Sequence, residues 1–298
     1  MEIARGIGLD VTAACDTPGV PEFEAVTLQG RGFGLHVKDS SFIADKRLVD
    51  EIEAGKQRFG IDHFYLWGDT VTLNAKSFSR FCDELIARNL GVRWFGNGRA
   101  DNLTNPEFVA KLRASGCWML SLGIESESDE VRRDMMKKLE REKIRLAIQN
   151  LRAAGIKSFG FFIFGYPGDT TASIARTADY AREIDPDFAN FYPAVPYPGT
   201  DLYEKVKRDG LLASDDWSRM EYSYYLMRGN GLDEATVMGA IQRARRRFFL
   251  RPSYVARHGA DFVRLLFTKQ HVVHDTLSKF LFGNPVTASQ RPPGAAAR

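Results

Sequence analysis

Glu125-Ser126 closes the apolar run Trp118 to Ile124. A carboxylate in that place can accept hydrogen bonds from a ribose hydroxyl or an ammonium group. It can equally be a first-turn acid that favours the positive end of a helix dipole. Gly165-Tyr166-Pro167-Gly168 follows another such run, Phe159 to Phe164. Without a β-carbon, Gly165 lets a ligand approach the backbone closely, and the same residues also make an ordinary tight turn. Asp69, in Gly68-Asp69-Thr70, reads as a polar ligand contact, a general base or a turn former. Asn97 ends the run that begins at Val92, and Arg99 follows it. The Arg99 guanidinium can clamp a carboxylate or phosphate through two parallel hydrogen bonds, or pair with nearby Asp101. Pro196 to Gly199 ends the series.

Other chemistries lack their residues. His36, His63, His258, His271 and His274 form no HExxH pattern, and His271 with His274 has no cysteine nearby. There is no GxSxG elbow and no P-loop lysine, so hydrolase and nucleotidase readings are weak. The three cysteines, Cys15, Cys82 and Cys117, are odd in number and show no CxxC spacing. That usage argues against a secreted disulfide framework and for a reducing cytoplasm.

These candidate residues share one context. From about residue 60 a short apolar run, a polar or glycine-containing end and an amphipathic helix recur, which is how βα units read. The runs are Asp62 to Trp67, Val92 to Asn97, Trp118 to Ile124, Phe159 to Phe164 and Asp187 to Tyr192. Phe78, Phe81, Cys82, Leu85 and Ile86 put one apolar face on a helix over 75–89. Asn105 as N-cap with Pro106 at the first helical position starts another. A third helix carries Ile144, Ile148 and Leu151 and ends at Gly155. Crossovers of this length suit parallel pairing, and ligands bind at the carboxyl ends of parallel strands. A partial barrel and a doubly wound sheet give the same alternation.

The 298 residues suffice for one large α/β domain with an appendage. With 41 Lys and Arg against 38 Asp and Glu, the balance implies no polyanionic partner, and no nucleic acid is expected. No signal peptide or membrane-spanning run is apparent. Residues 258–282 mix Phe262, Leu265, Leu266 and Phe267 with Arg264, Lys269 and Lys279. They read as a helix packed on the barrel or lying on a membrane surface. A helix over 233–257 carries Arg243, Arg245, Arg246, Arg247 and Arg251, either a phosphate or lipid-headgroup site or a solvated face with Phe248, Phe249 and Leu250 turned inward.

Several of these segments, in series, resemble the radical S-adenosylmethionine (radical SAM) enzymes. Cys117-Trp118-Met119-Leu120-Ser121-Leu122-Gly123-Ile124-Glu125-Ser126 resembles their fourth-strand motif, and Phe162-Ile163-Phe164-Gly165-Tyr166-Pro167-Gly168-Asp169-Thr170 their fifth-strand motif. Pro196 to Tyr203 fits the sixth strand, and Arg247-Phe248-Phe249-Leu250-Arg251-Pro252-Ser253-Tyr254 resembles a C-terminal signature of the cobalamin-associated subgroup. The resemblance covers about residues 46–256.

It implies an α/β fold: a partial (β/α)6 TIM-like barrel of parallel strands with a C-terminal helical extension. The expected organisation is an irregular segment over 1–24, the barrel over 25–200, the extension over 201–282 and a disordered tail over 283–298. By resemblance, Gly68 and Asp69 lie near the amino group of a small-molecule cosubstrate, S-adenosylmethionine. Glu125 lies on its ribose side, Lys137, on the following helix, points toward its methionine carboxylate, and Gly165 and Pro167 lie near its adenine. Asn97 and Arg99, chosen by the strand-end rule, complete the cofactor-binding set. The family also needs three cysteines in a CxxxCxxC loop to hold a [4Fe-4S] cluster and generate a 5'-deoxyadenosyl radical. The place for that loop, Ala25 to Asp45, contains no cysteine. No metal ligands and no catalytic residue are therefore assigned. The loss is read as natural, or as truncation or a shifted frame upstream of Lys46, and no cobalamin-binding domain fits in the residues before the barrel. The alternative is a non-catalytic protein that binds S-adenosylmethionine or a partner on the same barrel. For an active relative the resemblance implies methyl transfer or rearrangement on a hydrophobic substrate.

Overall fold

The computed structural model describes residues 35–36, 46–67 and 70–259. Residues 1–34 and 37–45, which hold the expected irregular segment and nearly all of the place for the cluster loop, together with Gly68, Asp69, residues 260–282 and the tail, lie outside them.

The strands are β1 (Leu35–His36), β2 (His63–Trp67), β3 (Arg93–Gly98), β4 (Cys117–Glu125), β5 (Lys157–Phe164) and β6 (Phe188–Pro193). The helices are α1 (Lys46–Phe59), α2 (Ala75–Arg88), α3 (Pro106–Ala114), α4 (Asp129–Asp134), α5 (Arg141–Ala153), α6 (Thr171–Ile184), α7 (Asp201–Arg208) and α8 (Glu234–Phe249). The sheet runs β1-β2-β3-β4-β5-β6, and the pairs from β1 to β5 are parallel. A doubly wound sheet reverses its strand order at a switch point. Here the order never reverses, so the (β/α)6 partial barrel is the architecture.

Burial alternates residue by residue along β3, β5 and β6, while β4 is buried more continuously. Residues facing the helices, among them Phe64, Leu66, Trp94, Leu120, Leu122 and Phe162, are 0–1% exposed. Their neighbours Tyr65, Phe95, Phe159 and Phe161 on the opposite face are half-buried. The apolar runs that suggest strands covered on both faces thus carry one closed face and one accessible aromatic face. Trp94 anchors the closed side: its indole N–H donates to the Ser115 carbonyl at 3.1 Å, and its ring meets Phe78 edge-on at 5.4 Å.

The helix starts follow from local chemistry. The Asn105 side chain accepts from the amides of Glu107 and Phe108, with Pro106 at the first turn where no N–H is needed. Asn74, Ser128, Thr200 and Asp233 cap α2, α4, α7 and α8 in the same manner. The helix expected over 233–257 stops at Phe249 and resumes at Pro252. Pro252 lacks an amide hydrogen and disfavours helical geometry in the residue before it. Leu250 is 58% exposed rather than turned inward, whereas Arg245 folds in and donates to the Phe191 carbonyl at 3.1 Å.

The chain divides into two compact units, residues 1–162 with 180–190 and residues 163–179 with 191–298. In the first, Asp187 ties the start of β5 to β6: its carboxylate accepts from the Ser158 amide at 3.0 Å and from Lys157 at 3.0 Å. In the second, Tyr203, Met220 and Leu226 form a small core, and Tyr203 donates to Asp215 at 2.7 Å. Among the described residues no helix is long and apolar enough to cross a membrane.

Candidate functional site

The carboxyl ends of β3 and β4, within the first unit, enclose a hollow of about 260 Å³. Asn97, Arg99, Ser121, Gly123, Lys137 and Phe161 line it. Asn97 is the penultimate residue of β3, where its carbonyl accepts from Val71 at 2.8 Å. Burial pushes the Tyr65 hydroxyl up, and a hydrogen bond with the Asn97 side chain opposes the shift. Arg99 makes the internal pair that the sequence left open. Its Nε and a terminal nitrogen contact the two oxygens of Asp101 at 3.1 and 2.9 Å, which raises the guanidinium's affinity for its proton. A ligand would have to compete with Asp101 for this clamp.

Glu125 is the last residue of β4, and its carboxylate is almost wholly covered, at 9% exposure. The pairing with β5 shifts between Gly123 and Glu125, so the strand bulges there. The Ser126 amide donates to the Ile124 carbonyl at 2.9 Å across Glu125, which has φ +65°. Such a γ-turn is rare and strained outside glycine. Helix capping is therefore not Glu125's role; Ser128 caps α4.

Lys137 donates to Glu125 Oε1. Lys137, expected on a helix, lies instead in the connection to α5, because α4 ends at Asp134. The turn comes from Met136, whose φ of +58° cannot continue a helix. The ion pair lies over Gly123: a β-carbon there would sit 2.5 Å from Glu125 Oε1 and against Lys137 Nζ. In the sequence Gly123 is one residue of an apolar strand with no evident role. Its signal is the two-residue spacing Ser121, Gly123, Glu125, which puts all three on one strand face.

Gly165 and Pro167 belong to the second unit, where they line a smaller hollow of about 70 Å³ with Tyr225, Arg228 and Asn230. Gly165 has φ +78°, and a β-carbon on it would come within 2.6 Å of the Tyr225 ring. The expected close approach exists, but a tyrosine of the same unit makes it: the Tyr225 hydroxyl donates to the Gly165 carbonyl at 3.0 Å. Asp169 braces the turn, accepting from the amides of Gly165 and Tyr166 at 3.1 Å and from the Ser173 hydroxyl at 2.6 Å. Burial raises its proton affinity against those three bonds.

Of the three cysteines, Cys15 lies outside the described residues. Cys82 on α2 and Cys117 at the start of β4 are fully buried on the helix-facing side. Burial pushes the Cys82 thiol up to about 12 and Cys117 well above its ordinary value, so neither is a thiolate near neutral pH. No group of three or more His, Cys, Asp or Glu that could hold a metal ion occurs among the described residues.

Residues 35–181 match the Radical SAM superfamily model. The chain belongs to the radical SAM superfamily. Among similar proteins, an anaerobic magnesium-protoporphyrin IX monomethyl ester cyclase of Rubrivivax gelatinosus is 30% identical over 70% of this chain and 38% of its own length. An uncharacterized methyltransferase of Pyrococcus horikoshii is 26% identical over 80% of this chain and 54% of its own. In fold, the chain matches a radical S-adenosylmethionine methyltransferase of Kitasatospora setae, solved with cobalamin and a [4Fe-4S] cluster bound. That match has a TM-score of 0.50 and 19% identity, and covers 54% of this chain and 33% of the other. The chain thus spans 38 and 54% of the two relatives' lengths. Its radical SAM domain contains β1 to β5, and with them Asn97, Arg99, Glu125, Lys137, Gly165 and Pro167.

Proposed function

We propose that this radical SAM barrel binds S-adenosylmethionine at its strand ends and, as the chain stands, holds no [4Fe-4S] cluster and performs no radical chemistry. The observation that carries the binding half is the Lys137–Glu125 pair folded over Gly123 at the mouth of the hollow. A cation and a carboxylate side by side suit a zwitterionic ligand end: Lys137 receives the carboxylate, and Glu125 accepts from an ammonium or ribose hydroxyl. Asn97 offers a further polar contact from β3. The negative half rests on the absence of cysteine between Cys15 and Cys82 and on the buried, protonated state of Cys82 and Cys117.

The lineage is that of cyclases and methyltransferases, supported by the names of the similar proteins and by the signature Arg247 to Tyr254. The half-buried aromatic face suits a hydrophobic substrate in such relatives. Tyr65 and Phe95 stack there at 4.2 Å and 2°, and Phe159 contacts Phe161 at 4.7 Å. In this chain the retained capacity is binding.

Calorimetric titration of S-adenosylmethionine into iron-free protein tests the proposal. Saturable binding, weakened about tenfold or more by Glu125→Ala, is the expected result, tenfold being about 1.4 kcal/mol. Absence of binding, or binding indifferent to Glu125, rejects it.

A further inference from the structure

Arg132 is a charged residue with 0% exposure. Burying an ion is costly, and an apolar residue of similar volume often serves the fold as well. Its partners suggest why it is there. Nε donates to the Leu139 carbonyl at 2.8 Å, one terminal nitrogen donates to the Ser126 carbonyl, and the other contacts the Asp129 carboxylate. The Arg132 carbonyl in turn accepts from the Lys137 amide at 2.8 Å. One guanidinium therefore closes the segment from Ser126 to Leu139 on itself.

Ser126 directly follows Glu125, and Leu139 is two residues beyond Lys137. Glu125 is fixed independently by its strand, β4, whereas Lys137 belongs to no regular element. The clamp therefore acts chiefly on Lys137. The Met136 amide donates to the Arg133 carbonyl at 3.0 Å, so this left-handed turn and the Lys137 amide bond fix where the chain leaves α4, and the guanidinium's bond to the Leu139 carbonyl holds it on the far side of Lys137.

We infer that Arg132 is a positioning residue: it holds Lys137 beside Glu125 at the hollow so that the ammonium can receive the carboxylate of an amino-acid-bearing ligand. The inference rests on the S-adenosylmethionine reading above and adds the element that sets the geometry of its amino-acid end. A planar guanidinium with donors along its edge can reach two carbonyls and a carboxylate together, which a lysine ammonium at that depth cannot.

The test compares two ligands on wild type, Arg132→Met and Arg132→Lys. S-adenosylmethionine carries the carboxylate; 5'-methylthioadenosine keeps the nucleoside and lacks the amino-acid end. Arg132→Met should lose about tenfold or more in affinity for S-adenosylmethionine and less than about twofold for methylthioadenosine, with Arg132→Lys failing to restore the difference. Hydrogen exchange of ligand-free Arg132→Met should rise over residues 126–139 and not in α2 or α3. Equal losses for both ligands would mean a merely structural role and overturn the inference. Unchanged binding or exchange in Arg132→Met, or full restoration by Arg132→Lys, would overturn it too. A wild type that binds neither ligand while exchange still rises in Arg132→Met would reject the S-adenosylmethionine reading, and the positioning role with it. A wild type that binds and a variant that is unaffected rejects the positioning role alone.

Discussion

Glu125 occupies a backbone conformation that a non-glycine residue enters at a cost of about 1–3 kcal/mol. The bulge against β5 and the Ser126–Ile124 hydrogen bond hold it there. A carboxylate kept in a strained γ-turn beside a hollow is the pattern expected of a binding residue, and it separates two substitutions. Glu125→Gly relieves the strain and Glu125→Ala does not, so chemical denaturation should find the glycine variant more stable than the alanine variant by about 1 kcal/mol. Both should lose S-adenosylmethionine binding. Gly123→Ala supplies a second check, because its methyl group enters the space of the Lys137–Glu125 pair. Calorimetry should show weakened binding, and denaturation only a small loss, because the displaced atoms are the ends of two flexible side chains. Unchanged binding in Gly123→Ala would mean the pair is not part of the ligand contact.

Short-range chemistry decides several elements and leaves others to tertiary context. Asn105-Pro106 announces α3 because cap and first turn are neighbours in the chain, and Asn105→Ala should cost about 1 kcal/mol in a denaturation experiment. The end of α4 is another matter: Asp134-Met135-Met136-Lys137-Lys138 offers no glycine or proline stop, so Lys137 reads as helical although it is not. The shift at Gly123 and Glu125 is equally hidden, since it depends on how β4 pairs with β5. Arg132 looks like one more charge on a charged helix until its burial is known. The β5–β6 link through Asp187 carries a pH signature. Burial alone would raise this carboxyl, but the Ser158 amide and Lys157 outweigh burial and hold it below the ordinary 3.8. A lowered folded-state value means stabilisation that is complete above 3.8 and disappears as pH falls through the folded value. The stability gap between wild type and Asp187→Asn should accordingly be full at neutral pH and close on acidification below 3.8. A gap that widens on acidification would contradict the assignment.

At the scale of the whole molecule, the recurring βα pattern establishes the fold class, and the unreversed strand order decides between two architectures that periodicity does not separate. The strand-end rule also picks out Asn97 and Arg99 of the candidate hollow, because ligand groups on parallel strands emerge there. It does not reveal that Arg99 is engaged by Asp101, or that Tyr225 fills the space Gly165 leaves open. Those contacts join residues through folding or through a choice of partner. On the proposed reading, this radical SAM barrel keeps its S-adenosylmethionine contacts and lacks the cluster thiolates. Anaerobic incubation of the full chain with ferrous iron and sulfide, followed by desalting, iron analysis and a visible spectrum, tests that claim most directly. The expected protein retains no stoichiometric iron and shows no iron–sulfur absorption band. A stable cluster with bound iron and sulfide would contradict it.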